Sequence, residues 1–249
     1  MNLEKFNKKG YIILKNFFNP ETIDRIREDS KDIFKTQFKR FGYDDTNEMF
    51  KDSMVKLFNN QRETFINCGK TIQQGLLSLY KISIDDNLIN EIKKLGLEKP
   101  NMCTRPVLFF NHPKLAEQKV YYKTPAHQDW GSMLGSLDSV VIWVPLVDIT
   151  DGNGPLEIIE SSHTKGLVSD SINNGFSIIS NVKDDDFKKV KIKKGDILIF
   201  SSFLIHRSGE ITNDEIRWSC HFRYNNLNDL DFIDRGYPNP YIYKPITKN

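Results

Sequence analysis

Hydrophobic residues in the first hundred positions recur mostly at the spacing of α-helices. After a short apolar run, YIILKNFF, Asn19 is placed to cap a helix that has Pro20 in its first position. An approximate apolar stripe then follows, formed by Ile23, Ile26, Ile33 and Phe34. The segments TFINCGKTIQQGLLSLYKI and DDNLINEIKKLG also read as helices, whereas the polar stretch DDTNEMFKDSMVKLFNNQ is ambiguous. The pattern predicts a helix-rich support over about residues 16–100.

The pattern changes near Pro100, where short β-type runs replace the helical spacing. These runs are rich in β-branched and aromatic residues and are separated by Gly, Asn and Asp: CTRPVLFF, KVYYKT, DSVVIWVPLV, GPLEII, DILIF and RWSCHFRY. We expect a mainly β core over about residues 101–225, flanked by the helices, within one domain that spans residues 1–249. The long polar stretch SDSINNGFSIISNVKDDDF is predicted to be a mobile lid.

Composition narrows the classes of function. Lys and Arg total 35, Asp and Glu total 33, and the two signs are interspersed, so we expect neither a nucleic acid nor a membrane as partner. The three cysteines form no C-x-x-C pair, and their odd number argues against a disulfide framework. The N-terminal residues MNLEKFNKKG lack the apolar segment of a signal peptide, and no apolar run is long enough to cross a membrane. We therefore expect a reducing compartment, by default the cytoplasm.

His127 and Asp129 in TPAHQDW, together with His206 in SSFLIHRSGE, form a candidate metal site. In a strand or a tight turn the side chains at i and i+2 point the same way, so an imidazole and a carboxylate can meet one ion. Two neutral imidazoles and one carboxylate hold one face of an octahedron in mononuclear non-haem Fe(II) sites, and they leave positions open for a cosubstrate and O2. The same donors also suit zinc.

Arg217 strengthens the interpretation as an oxygenase site. It follows His206 by eleven positions, past the polar turn GEITNDE, where the returning strand of a hairpin can place it beside the metal. A guanidinium there can bind the far carboxylate of 2-oxoglutarate with two hydrogen bonds. Such a contact contributes about 1.5–3 kcal/mol, enough to fix the direction of binding. A zinc isomerase or hydrolase would not need it.

With their flanking residues, these motifs make the chain resemble the phytanoyl-CoA dioxygenase family of Fe(II)/2-oxoglutarate oxygenases. The resemblance covers nearly the whole chain. It begins with FNKKGYIILKNFFNPETIDRIRED and continues through HQDW, VVIWVPLVDITDGNGPLEIIESSHTKG, KKGDILIFSSFLIHRSGE and RWSCHF. It implies a double-stranded β-helix, a cupin-like jelly roll, buttressed by N-terminal α-helices.

The resemblance also implies roles for individual residues. The iron ligands would be His127, Asp129 and His206, and Arg217 would form the salt bridge to 2-oxoglutarate. The cosubstrate pocket would be lined by Gln128, Trp143, Ser208 and Leu108. Two residues are candidates for substrate contact. Trp130 directly follows the ligand Asp129 in the sequence. Arg105 lies inside a predicted apolar strand, and because an unpaired buried charge is costly, its side chain must face solvent or meet an anion. His221 is interpreted as a hydrogen-bonded interior histidine.

The implied reaction is the oxidative decarboxylation of 2-oxoglutarate with O2, which yields succinate, CO2 and an oxidant that hydroxylates a C–H bond. The carboxylate of Asp129 favours hydroxylation over halogenation, because related halogenases keep this position small. The expected substrate is a small polar or carrier-linked metabolite. Desaturation or ring closure would use the same oxidant, and a non-catalytic cupin-like binding module is the alternative from another class.

Overall fold

A computed structural model describes residues 2–116, 123–168, 171–173 and 176–238, with the backbone alone for residues 171–173, 176 and 177. The α-helices in these residues are α1 Asn2–Lys9, α2 Pro20–Arg40, α3 Phe50–Asn60, α4 Arg62–Gly75, α5 Leu77–Ser83, α6 Asp86–Lys94, α7 Trp130–Met133 and α8 Leu230–Asp234. The strands are β1 Tyr11–Leu14, β2 Pro100–Met102, β3 Val107–Asn111, β4 His127–Gln128, β5 Val140–Pro145, β6 Leu156–Ile158, β7 Ser171–Asn173, β8 Phe176–Ile178, β9 Lys188–Lys189, β10 Ile197–Ser201, β11 His206–Ser208 and β12 Arg217–Asn226. The predicted strand KVYYKT lies mostly outside the described residues, as do residues 169–170 and 174–175 of the predicted lid.

The helical support begins as the sequence predicts. The side chain of Asn19 accepts a hydrogen bond from the Glu21 amide at 3.0 Å, and Pro20 opens α2. The ambiguous polar stretch contains α3, whose residues Met54 and Leu57 are fully buried. Within the described part of the chain, every helix is too short or too polar to span a lipid bilayer.

Two antiparallel sheets form the β core. One has the strand order β1-β10-β5-β12-β2, with β3 also paired to β12, and the other has the order β7-β8-β4-β11-β6-β9. A cluster of buried side chains from both sheets, including Val141, Trp143, Leu156 and Ile158, fills the space between them. The predicted jelly roll buttressed by helices is thereby confirmed.

Strand alternation on β12 separates two environments. Trp218, Cys220 and Phe222 belong to the apolar core that the helices share with the first sheet. Successive side chains of a strand point to opposite faces. The alternating residues Arg217, Ser219, His221 and Arg223 therefore face the space between the two sheets.

Candidate active site

The three predicted metal ligands meet between the sheets. His127 on β4 and His206 on β11 are direct partners in the antiparallel register, and their ring centroids lie 4.2 Å apart. Asp129 follows β4 and forms the start of the short helix α7. One ligand atom from each of the three residues lies within 4.8 Å of the other two, and all three residues are buried.

Backbone carbonyls orient both imidazoles toward the carboxylate. Nδ1 of His127 lies 2.8 Å from the Pro125 carbonyl oxygen, and Nδ1 of His206 lies 2.9 Å from that of Leu204. When Nδ1–H donates in these bonds, Nε2 keeps its lone pair for a metal. Burial lowers the pKa of His206 to about 3 and also lowers the pKa of His127, so both rings are neutral at pH 7.

The carboxylate of Asp129 fits a cation at this place. Its Oδ1 and Oδ2 lie 3.9 Å and 3.8 Å from Nε2 of His127 and His206, respectively. Octahedral ligands at about 2.0–2.2 Å from a metal are about 3 Å apart, so these separations need to shorten by less than about 1 Å. Oδ2 is buried and has no hydrogen-bond partner in the described part of the chain. Burial alone would raise the pKa of Asp129, but the guanidinium of Arg223 and the two imidazoles hold that pKa well below its ordinary value.

Arg217 offers a buried positive charge on the facing strand. It is 5% exposed, donates from Nη2 to Asn111 Oδ1 at 3.0 Å and from Nη1 to the Gly154 carbonyl, and its Nε has no partner among the described residues. Burial lowers the pKa of Arg217 to about 10, and no carboxylate of the described residues offsets this effect. A buried cation without an anion is costly, so the arrangement suits an anionic ligand.

A turn with a positive φ supports Arg217. Gly154 has φ +72°, and a Cβ there would lie 2.8 Å from a side-chain carbon of Ile211 and 3.2 Å from Nη1 of Arg217. Position 154, whose backbone carbonyl accepts the hydrogen bond from Arg217, therefore needs a glycine.

Further polar atoms of β12 face the same space. The Oγ of Ser219 and the Nδ1 of His221 are buried without a partner among the described residues. The His221 ring packs edge-on against Phe109, with centroids 5.0 Å apart, and burial lowers its pKa well below the ordinary value. This differs from the hydrogen-bonded interior histidine that we expected, since Nδ1 is left available to a ligand.

The predicted cosubstrate-pocket residues divide into two groups. Trp143 on β5 is the register partner of His221, and Ser208 lies on the same face of β11 as His206, so both lie between the sheets. Gln128 does not line this space: its Nε2 donates to the carbonyls of Gly166 and Phe203 at 2.8 and 2.6 Å. Its Oε1 accepts from the amide of Val168 at 2.7 Å, so backbone groups occupy the whole amide.

Leu108, which was also predicted to line the cosubstrate pocket, lies on the other face of its strand. Its side chain belongs to the core shared with the helices, because it pairs with Cys220 on the outer face of β12. Its neighbour Phe109 pairs with Ser219 and lies on the inner face. Phe109, not Leu108, is the residue of this part of β3 that can line the site.

The two substrate-contact candidates remain predictions. Arg105 is exposed, and its Nη2 lies 3.4 Å from Oε1 of Gln73 on α4. Trp130 stacks on Phe203 with ring centroids 5.3 Å apart, and its Nε1 is buried without a partner in the described residues.

The sequence reasoning missed Arg223 and Asn111. Arg223 donates from Nη2 to Asp129 Oδ1 at 3.0 Å, and its position six residues after Arg217 on one strand gave a usable signal of a shared face. Asn111 contacts Arg217 because β3 and β12 pair in one register, which no local sequence pattern specified.

Comparisons with known proteins identify the family of this chain. The profile of the family described as Phytanoyl-CoA dioxygenase (PhyH) matches residues 6–219. The protein named Phytanoyl-CoA dioxygenase 1 from Oryza sativa subsp. japonica is 26% identical over 232 residues, which cover 84% of this chain and 82% of the rice protein.

Solved structures share the fold at low sequence identity. The apo form of the non-haem monooxygenase ThoJ superposes with a TM-score of 0.64 at 14% identity and covers 92% of this chain and 78% of its own. The epimerase SnoN, solved with Fe3+, α-ketoglutarate and nogalamycin RO, has a TM-score of 0.59 at 12% identity over 90% of this chain and 82% of its own.

Proposed function

Since this chain belongs to the phytanoyl-CoA dioxygenase family and is a 2-oxoglutarate-dependent dioxygenase, we propose that it hydroxylates a C–H bond of a small polar or carrier-linked metabolite. One observation carries the proposal: the buried Oδ2 of Asp129 has no partner among the described residues, in a carboxylate that clusters with two neutral imidazoles. Fe(II) with 2-oxoglutarate and O2 supplies the oxidising chemistry when bound, and succinate and CO2 leave.

Each protein group has a distinct task in this proposal. His127, Asp129 and His206 hold the iron, and the carbonyls behind the two rings keep Nε2 directed at it. Arg217 binds the far carboxylate of 2-oxoglutarate, while Trp143 and Ser208 line the cosubstrate pocket. Because Arg217 is already fixed by Asn111 and Gly154, little side-chain freedom is lost when the diacid binds.

The carboxylate at position 129 favours hydroxylation over halogenation, because it fills the position that a halide would take. Desaturation and ring closure are the alternatives within the class, and the epimerase SnoN illustrates that this fold also serves other reactions. A non-catalytic binding module would be expected to lose a ligand or the anchoring arginine. Both are present here.

The proposal also covers the binding partners, the cellular location and the domain organisation of the protein. A small molecule is the expected substrate, with neither nucleic acid nor membrane as partner, and the balanced charge supports this. The cytoplasm is the proposed location, supported by three buried cysteines that form no disulfide. We also propose that residues 1–249 act as one domain, since one apolar core joins the helices to the first sheet.

Spectroscopy under anaerobic conditions tests the assignment. Fe(II) followed by 2-oxoglutarate should produce a weak metal-to-ligand charge-transfer band, and O2 should then yield succinate. The variant His206→Ala should lose both signals, whereas Arg207→Gln, on the outer face of the same strand, should keep them. Succinate formation by His206→Ala at the wild-type rate would refute the assignment. A metabolite screen for stimulated succinate release would then identify the substrate.

A further inference from the structure

The two oxygens of Asp129 have different environments. Oδ1 accepts a hydrogen bond from Nη2 of Arg223 at 3.0 Å, and both side chains are largely buried. Oδ2 has no partner in the described residues and lies 3.8 Å from Nε2 of His206. Of the two oxygens of the carboxylate, Oδ1 is therefore already hydrogen-bonded to Arg223, whereas Oδ2 is available to bind a metal.

The backbone of Arg223 is fixed from two sides. It lies in the register of β12 opposite Val141 on β5, and its carbonyl accepts a hydrogen bond from the Cys103 amide at 2.8 Å. Strand alternation then directs its side chain to the inner face, together with that of Arg217. On the side of Arg223, the contact with Asp129 therefore follows from the pairing of a central strand.

We propose that Arg223 is a positioning residue that keeps Asp129 a ligand through one oxygen and so preserves three open coordination positions on the metal. The inference rests on the proposed function. Carboxylates can bind metals through one oxygen or two. If Asp129 bound through both, the protein would fill four of six positions, 2-oxoglutarate would fill the other two, and none would be left for O2.

The chemistry of the guanidinium favours this role over a role in metal affinity. A positive charge so close to a ligand oxygen repels a metal cation, so Arg223 cannot be explained as an aid to affinity. Its planar group holds an oxygen in a fixed direction and stays charged at all accessible pH values, which suits the control of geometry.

Manganese provides a probe that counts the open positions. Mn(II) added to the full-length protein relaxes water protons in proportion to its water ligands, and three waters are expected in the wild type. Arg223→Gln ends two bonds short of the Nη2 position, so its amide no longer reaches Oδ1. In this variant we expect two waters, so the relaxation enhancement per bound Mn(II) should fall by about one third, because Asp129 then takes a second position. Saturating 2-oxoglutarate should leave one water in the wild type and none in the variant.

Matched variants separate this effect from general damage. Arg223→Lys retains a donor to Oδ1 and should restore three waters. The double variant Arg223→Gln with Asp129→Asn should also have three, because an amide binds through its oxygen alone. Arg207→Gln removes another strand arginine that pairs with a carboxylate, Glu157, on the outer face, and it should leave the water count unchanged.

Three waters in Arg223→Gln would overturn the inference, and the oxygenase assignment would stand if the wild type still formed succinate. A failure of the oxygenase assignment itself would give a different result, because Mn(II) would then bind to His206→Ala as well as to the wild type. Should Arg223→Gln fail to fold, the wild type still decides, since two waters there would mean that Asp129 chelates despite Arg223.

Discussion

Buried polar atoms without partners mark the ligand positions at the residue scale. Such atoms are normally paired in folded proteins, because each unpaired one costs free energy. Around the triad the unpartnered atoms of the described residues have complementary character: Asp129 Oδ2 is an acceptor for a cation, and Arg217 Nε is a donor for an anion. A metal and a dicarboxylate would satisfy both.

Replacement of Arg217 by alanine should weaken 2-oxoglutarate binding roughly 10- to 150-fold, which corresponds to the loss of a charge-assisted contact of about 1.5–3 kcal/mol. The affinity for Co(II) should change little, since Arg217 contacts none of the three metal ligands through a described hydrogen bond. Titration of the charge-transfer band with 2-oxoglutarate measures the first effect, and calorimetry with Co(II) the second. Unchanged 2-oxoglutarate affinity would remove Arg217 from the site.

Acid should destabilise the metal-free protein through His206. Burial lowers its pKa to about 3, below the value of about 6.5 in an unfolded chain. Between these values the unfolded chain binds a proton that the folded chain rejects, so stability falls as the pH decreases from about 6.5 and is unaffected above it. Urea unfolding at pH 7 and pH 5 should show a smaller loss for His206→Gln than for the wild type. An equal loss in both would contradict the neutral buried ring.

At the scale of elements, local patterns predicted what depends on local geometry. The cap and first residue of α2 and the i, i+2 spacing of His127 and Asp129 are properties of adjacent residues, and both were predicted correctly. The polar composition of α3 hid its buried face. Gln128 and Leu108 were misplaced because a side chain's surroundings depend on strand register and on which loops approach, and neither is encoded locally.

Gln128→Met tests the structural role that replaces its predicted pocket role. The amide is 1% exposed and bonds three backbone groups of the segments around residues 166–168 and 203. The variant should lose about 2–4 kcal/mol of unfolding free energy in urea, because these buried groups lose their partner, while 2-oxoglutarate affinity stays within about threefold. Gln73→Met loses a half-buried hydrogen bond to the Leu108 carbonyl at 3.3 Å and an exposed one from Arg105 at 3.4 Å, and it should cost only about 0.5–1.5 kcal/mol. A large loss of cosubstrate affinity in folded Gln128→Met would restore the pocket role.

At the scale of the whole molecule, aromatic rings join the helical support to the β core. Phe34 of α2 lies 5.2 Å from Phe110 of β3 between ring centroids, and Phe110 lies 5.6 Å from Trp218 of β12. Phe50 of α3 and Phe65 of α4 pack against Phe34 in the same cluster. The outer face of the strand that carries Arg217 and Arg223 is therefore held by helices from the first part of the chain.

This shared core predicts that helices and barrel unfold together. Phe34→Ala should lower the unfolding free energy by about 3–5 kcal/mol, because it leaves a cavity between the two layers. Helical circular dichroism should lose its signal at the same urea concentration as the fluorescence of the three tryptophans, Trp130, Trp143 and Trp218, in the wild type and in the variant. Phe41→Ala, at the half-buried end of α2, should cost much less. Two separate transitions would mean that the support and the jelly roll are independent units, and the site would then not depend on the helices for its stability.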